Sequence, residues 1–186
     1  MFYQLNRKMK SEELRNLQAP LKEKYRNQPG SAMITLKAEG KAGDGITCKV
    51  ETGRALAEAG LHPATGGDGM LICSGDMLLE ALVACAGVTL RAVSTVMNID
   101  IKDAVVRAEG DLDFRGTLGV SKEVPVGFAE IRLSFILDTE ASAEQINNLL
   151  RLTERYCVVY QTLISATEVR TKIETVEQND PVSGFK

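Results

Sequence analysis

One stretch, residues 74–97, constrains the fold more than any other, because it reads as a long helix that is apolar on almost every side. After Asp76 only Glu80, Thr89, Arg91, Ser94 and Thr95 interrupt it. Ser74 can cap its start, Asp76 adds negative charge to the first turn where the helix dipole favours it, and Asn98 can end it. A helix with no polar face must be wrapped by a sheet, another helix or a second subunit. Its most apolar part, residues 77–90, is 14 residues long, short of the ~18 needed to span a membrane. The expectation is a buried helix in a soluble protein.

The rest of the chain supplies the wrapping. Residues 32–39 and 45–52 alternate as two strands around the glycine-rich segment 40–45, which predicts a hairpin. The pattern then dissolves into small residues over 54–71, read as a surface loop. Gly66, Gly67 and Gly69 in that loop lack the spacing and strand–loop–helix context of a phosphate cradle. Two further strands are predicted at 101–115 and 126–138. In the second, Ile131, Leu133, Phe135 and Leu137 face one way while Glu130, Arg132 and Ser134 face the other. Ser142 opens a second helix running through Cys157, with Ile146, Leu149, Leu150 and Thr153 on one stripe, and a last strand follows at about 168–176. Leaving aside the N-terminal segment, the order β-β-α-β-β-α-β with hairpin-like links predicts an α+β fold on an antiparallel sheet.

The N-terminal segment is distinct. Residues 1–27 hold seven Lys or Arg against three Asp or Glu, although the whole chain carries a formal charge of −3. Leu14, Leu17, Leu21 and Tyr25 recur at steps of three and four, so Ser11–Asn27 reads as a basic amphipathic helix ended by Gln28-Pro29-Gly30. Its stripe is expected to pack on its own domain or on a sister subunit. The predicted organisation is this extension (1–30), a main domain (31–178) and a short tail (179–186).

Composition removes several function classes. With 44% hydrophobic and 25% charged residues the chain is an ordinary globular one, and 186 residues suit a single domain. Small net negative charge gives no general affinity for nucleic-acid backbones. The first residues lack the apolar run of a signal peptide, so the expected compartment is the cytoplasm, with no membrane partner. A single histidine, His62, leaves little material for imidazole catalysis. The four cysteines, Cys48, Cys73, Cys85 and Cys157, contain none of the close pairs of structural zinc sites, so no metal is expected. The carboxylates of Asp76 and Glu80 sit one turn apart at a helix start, where such groups serve the dipole or solvent. On composition alone, a cysteine among alanines such as Cys85 reads as a core residue.

The motifs around two cysteines alter that balance. Ser74-Gly-Asp-Met-Leu-Leu-Glu-Ala-Leu-Val-Ala-Cys85-Ala-Gly-Val-Thr-Leu90 resembles the first signature of the OsmC/Ohr family of thiol peroxidases, and Glu154-Arg-Tyr-Cys157-Val-Val-Tyr-Gln-Thr-Leu163 resembles the second. The similarity in element order runs over about 34–176. The resemblance implies an intertwined homodimer, its antiparallel sheet wrapped around two long helices, with two sites at the subunit interface. It further implies that Cys85 is the peroxidatic cysteine, Cys157 the resolving one and Asp76 the acidic residue at the helix entrance. The implied substrates are organic hydroperoxides, the reductant is an external dithiol, and no metal or organic cofactor is needed. The family also uses an arginine from the N-terminal part of the chain. Arg54 is the candidate here, with Arg91 and Arg155 as rivals.

Three departures from the family pattern stand out: Ser74 and Val158 where many members have proline, and Asp76 in place of glutamate. Cys73 is an alternative disulfide partner or a plain thiol. The competing functional reading is a non-enzymatic dimer of the same fold that binds a small apolar ligand or senses redox state through its thiols.

Overall fold

The computed structural model describes residues 9–33, 35, 39–43, 47–51 and 56–174. Helix α1 spans Ser11–Asn27, with the Glu13 carboxylate accepting the Lys10 amide at 3.3 Å to close its first turn. The chain then makes a short 3-10 turn at Pro29–Ala32. Strands β1 (Glu39–Gly43), β2 (Thr47–Glu51) and β3 (Leu56–Gly60) form an antiparallel meander, and the short β4 (Ile72–Cys73) runs parallel to β3. Helix α2 (Ser74–Val96) follows directly. A long ribbon of β5 (Ile101–Leu112) and β6 (Phe128–Thr139) comes next, its connection holding the single turn α3 (Phe114–Thr117). The chain ends in α4 (Ala143–Tyr156) and α5 (Val158–Ile164). This is the expected α+β class.

Helix α2 is central. Its buried side chains Leu82, Ala86, Leu90 and Ser94 repeat every four residues and so form one stripe along the axis. That stripe is covered by β5, α4 and α5. One cluster joins Leu90, Ile99, Ile101 and Leu149, and a second joins Leu82, Ala86 and Cys157. The inner face of the β5–β6 ribbon, with Val106, Ala108, Ile131, Leu133, Phe135 and Leu137, closes over both. By length and composition alone α2 could cross a membrane, but its buried stripe makes it the core helix of this fold. Helix α4 starts where Ser142 and Gln145 cap each other reciprocally, the Gln145 amide reaching Ser142 Oγ at 3.3 Å.

Several expectations are corrected. The hairpin is present with a strand at 39–43, largely inside the segment expected to be its reversal; this glycine-containing segment pairs with β2 because an edge strand tolerates glycine, and residues 34 and 36–38 of the expected first strand lie outside the described residues. The expected loop at 54–71 contains β3, whose Ala57, Ala59 and Gly60 are too small to show alternation yet pair in register with β2. The remaining loop is shaped by its glycines: at Gly67 a Cβ would lie 1.8 Å from the Leu61 carbonyl oxygen, and Gly66 has φ of +95°. The second helix ends as expected at Cys157, its C-cap, but a further helix, α5, follows directly where none was expected. Residues 168–174 of the expected last strand have no regular secondary structure, and 175–176 fall outside the described residues. Of the two coverings expected for the α1 stripe, its own domain does not supply one, with Leu17 60%, Leu21 48% and Tyr25 37% exposed within the chain.

Candidate active site

The break between α4 and α5 builds the site. Cys157 adopts extended backbone (φ −74°, ψ 109°), so its amide still closes α4 on the Thr153 carbonyl at 2.9 Å while its carbonyl starts α5 by accepting from Gln161 at 2.9 Å. The amides of Val158, Val159 and Tyr160 therefore precede the first intrahelical hydrogen bond of α5, and they are available to an external acceptor. They face the sulfur atoms of Cys85 and Cys157 and favour negative charge there. Cys157 is only 1% exposed and packs in one cluster with Leu82, Ala86 and the partly buried Cys85 of α2.

The two thiols are placed unequally. Burial raises the Cys85 thiol, but this is outweighed by hydrogen bonds from the Val159 amide, the Cys157 thiol, the Val158 amide and the Thr89 side chain, so its net pKa is lowered. Thr89 stands one turn beyond Cys85 and its hydroxyl donates to the Cys85 carbonyl at 2.8 Å, from where it can also turn to the sulfur. Cys157 moves the other way. Burial raises it, and the nearby Cys85 raises it further, against partial relief from the Tyr160 and Val159 amides. Of the two, Cys85 is the easier to ionise, and the Cys157 thiol is the donor beside it. A thiolate is the nucleophilic form of cysteine, and a neutral thiol held against it is positioned for sulfur–sulfur chemistry.

Other residues singled out from the sequence are not brought to this pair. Asp76 is exposed and nine residues before Cys85 on the same helix, hence about 13 Å away along the axis and on the opposite side. It lines instead a cavity of about 320 Å³ with His62, Cys73, Leu79, Phe114 and Phe128. Cys73 stands about 18 Å from Cys85 along α2, far outside disulfide reach, which removes that pairing within the folded chain. Arg91 donates to the Ile101 carbonyl at 2.9 Å, and the Arg155 guanidinium lies 5.8 Å from the Tyr156 ring. Arg54 lies outside the described residues. His62 is structural: its Nδ1 accepts the Ala64 amide at 3.0 Å and its ring stacks on Phe114 at 4.9 Å. No cluster of metal-ligating side chains occurs among the described residues. The amides of 158–160 and the Thr89 hydroxyl were not anticipated. Thr89 alone carried a signal, its i, i+4 spacing from Cys85.

A family model described as OsmC-like protein matches residues 67–172, a span that includes both cysteines, the α4–α5 break and the β5–β6 ribbon. The chain belongs to this OsmC-like family. Solved structures agree on the fold. An OsmC-like protein of Mycoplasma pneumoniae is 15% identical with a TM-score of 0.61, covering 72% of this chain and 89% of that one. An organic hydroperoxide resistance protein of Elizabethkingia anophelis is 14% identical with a TM-score of 0.58, covering 72% and 91%. One from Legionella pneumophila is 16% identical with a TM-score of 0.57, covering 71% and 90%. No curated protein matched the sequence. Helix α1 precedes the residues matched by the family model.

Proposed function

We propose that this OsmC-like protein is a cysteine-based peroxidase that reduces organic hydroperoxides in preference to hydrogen peroxide. The observation that carries the reading is the unequal thiol pair, packed in one cluster with Cys85 the easier to ionise and Cys157 the buried thiol beside it. The Cys85 thiolate attacks the terminal peroxide oxygen, the O–O bond breaks, and the alkoxide leaves as alcohol on taking up a proton. Cys85 is then a sulfenic acid. The Cys157 sulfur attacks it, forming the Cys85–Cys157 disulfide and releasing water as the sulfenic oxygen takes the thiol proton. An external dithiol reduces the disulfide in two exchange steps, and a recurrent need for thiol reduction suits the cytoplasm. Aliphatic and aromatic neighbours (Leu82, Ile131, Leu133, Val159, Tyr160 and Leu163) favour a peroxide with an organic body.

Thiolate formation alone is a modest device, because nucleophilicity falls as thiol pKa falls. A cation that steadies the leaving oxygen adds the larger effect. Asp76 can approach Cys85 only from a second copy of the chain, given their separation on one rigid helix. In the homodimer proposed here, Asp76 and Arg54 of one copy serve the thiol pair of the other. The α2 face carrying Leu78, Ala81, Ala84 and Val88, exposed within one chain, supports that dimer. Val169 and Ile173, 83% and 90% exposed on the irregular C-terminal segment, are likewise free for a partner.

The test is consumption of cumene hydroperoxide and hydrogen peroxide by the purified protein with a dithiol reductant. Fast organic turnover that disappears in Cys85→Ser and depends on Cys157 for recycling is the expected result. Turnover no faster than that of Cys85→Ser would overturn the enzyme reading. If Cys85 and Cys157 still oxidised reversibly, the thiol sensor would take its place.

A further inference from the structure

Two exposed surfaces of this chain are complementary to one another. The first is the uncovered stripe of α1, made by Leu17, Leu21 and Tyr25 with the partly buried Leu14. At about 100° per residue, Lys24 borders the stripe on one side with Glu13 next to it, Lys22 and Arg15 follow on the other with Arg26 further round, and Glu12 and Glu23 fall on the back of the helix. The second surface is the outer face of the β5–β6 ribbon. There Val105 and Ile136 are directly opposed and 40% and 50% exposed. Around this apolar pair stand Asp103 opposite Asp138 at one end, and Glu109, Asp111 and Glu130 toward the other. The basic residues of that face are Arg107 and Arg132, and Arg132 is already engaged by Glu109, Asp111 and Glu130.

We propose that α1 of one copy docks across the outer β5–β6 face of a second copy, laying its leucine stripe on Val105 and Ile136 with its Lys and Arg flanks against the surrounding carboxylates. A helix of 17 residues is about 25 Å long and lies within the length of a 12-residue ribbon of about 40 Å. The occupant is a second copy because α1 is held away from its own ribbon face. Its first turn, at Lys10, Ser11, Glu12 and Arg15, shares a cleft with the end of α2 and the start of β5, and from that anchor its stripe remains exposed. Docking covers two apolar patches at once and pairs opposite charges around them, an arrangement that fixes register more than it adds affinity. This surface is separate from the thiol pair and does not depend on the peroxidase reading.

The test uses the full chain carrying Leu21→Cys and Ile136→Cys, treated with a short bismaleimide, separated under denaturing conditions and mapped by mass spectrometry. A cross-linked peptide joining positions 21 and 136 is expected in species of two or more chains. Its yield should fall at least several-fold on adding Leu17→Glu, and likewise in ~1 M salt, where the Debye length is ~3 Å. Leu17 is exposed, so that change leaves the fold intact. The same cross-link in species of single-chain mass would overturn the proposal in favour of docking within one chain. Absence of the peptide, or a yield unaffected by Leu17→Glu, would also overturn it. Pelleting of the wild type with phosphatidylserine vesicles, lost in Leu17→Glu and without the cross-linked peptide, would assign the helix to a membrane surface instead.

Discussion

Substituting Val158 by proline separates stability from thiolate stabilisation. Val158 is the first residue of α5, its side chain is 69% exposed, and the preceding Cys157 already has the extended backbone that a following proline demands. Proline at the first helical position needs no intrahelical partner for its missing amide. Folding stability should therefore stay level or rise by about 0.4–1 kcal/mol through a stiffer unfolded chain. Yet the lost amide is one of the donors to Cys85. A hydrogen bond to a charged acceptor is worth about 1.5–3 kcal/mol. Taking the low end for a diffuse sulfur acceptor, the thiolate population drops on the order of tenfold at any pH below the folded pKa of Cys85. The remaining thiolate is a better nucleophile, with a slope of ~0.4–0.5, which returns about threefold. Alkylation of Cys85 by iodoacetamide, followed on the rising acid limb of its pH–rate profile, should then slow by roughly three- to fourfold while the urea midpoint holds. An unchanged alkylation rate, or a loss of stability above ~1 kcal/mol, would refute the role given to that amide.

Two further outcomes follow from the same structure. Leu149→Ala opens a cavity at a fully buried position between α4 and α2 and should cost about 2–5 kcal/mol in urea denaturation. Where the variant is still fully folded, Cys85 alkylation should be unchanged, since the thiols lie in the other cluster. The reduced protein should also show a pH-dependent contribution from Cys85. Its folded pKa lies below the ordinary value of 9.0, so its stabilising contribution is full above that value and fades as pH falls through the lowered one. Cys157 is raised and acts oppositely, its contribution full below 9.0 and lost as pH climbs through its folded value. Urea midpoints of wild type and Cys85→Ser, compared from neutral pH up to 9, should diverge in favour of the wild type. A constant difference would count against the shifted thiolate.

Much of this architecture is legible in the residues. The spacing of Leu14, Leu17, Leu21 and Tyr25 with Pro29-Gly30 beyond marks α1, Ser142 with Gln145 marks the start of α4, and alternation along 131–137 marks the inner face of β6. Elements without a side-chain signal escaped. Strand β3 is built largely of alanine and glycine and is held by backbone pairing to β2, a long-range fact that local pattern does not carry. The α4–α5 break falls at a cysteine with neither proline nor glycine beside it, so nothing local announced it. The thiol pair was visible only through its two motifs, because 72 residues separate the partners. The donors that distinguish the thiols are main-chain amides, common to every residue and conspicuous only once a helix ends there.

Helix α2 also governs which sulfur atoms can ever meet. In an unfolded chain Cys73 and Cys85 are 12 residues apart, against 72 for Cys85 and Cys157. By loop-closure entropy the shorter encounter is favoured about fifteenfold. Once α2 has formed, its rigid rod holds Cys73 and Cys85 apart and forbids the pairing that the coil prefers. Oxidation during synthesis or refolding would therefore capture the wrong partners and, with a bridge across half a helix, prevent α2 from closing. Reducing conditions during folding, and oxidant only afterwards, are a requirement written into the position of Cys73.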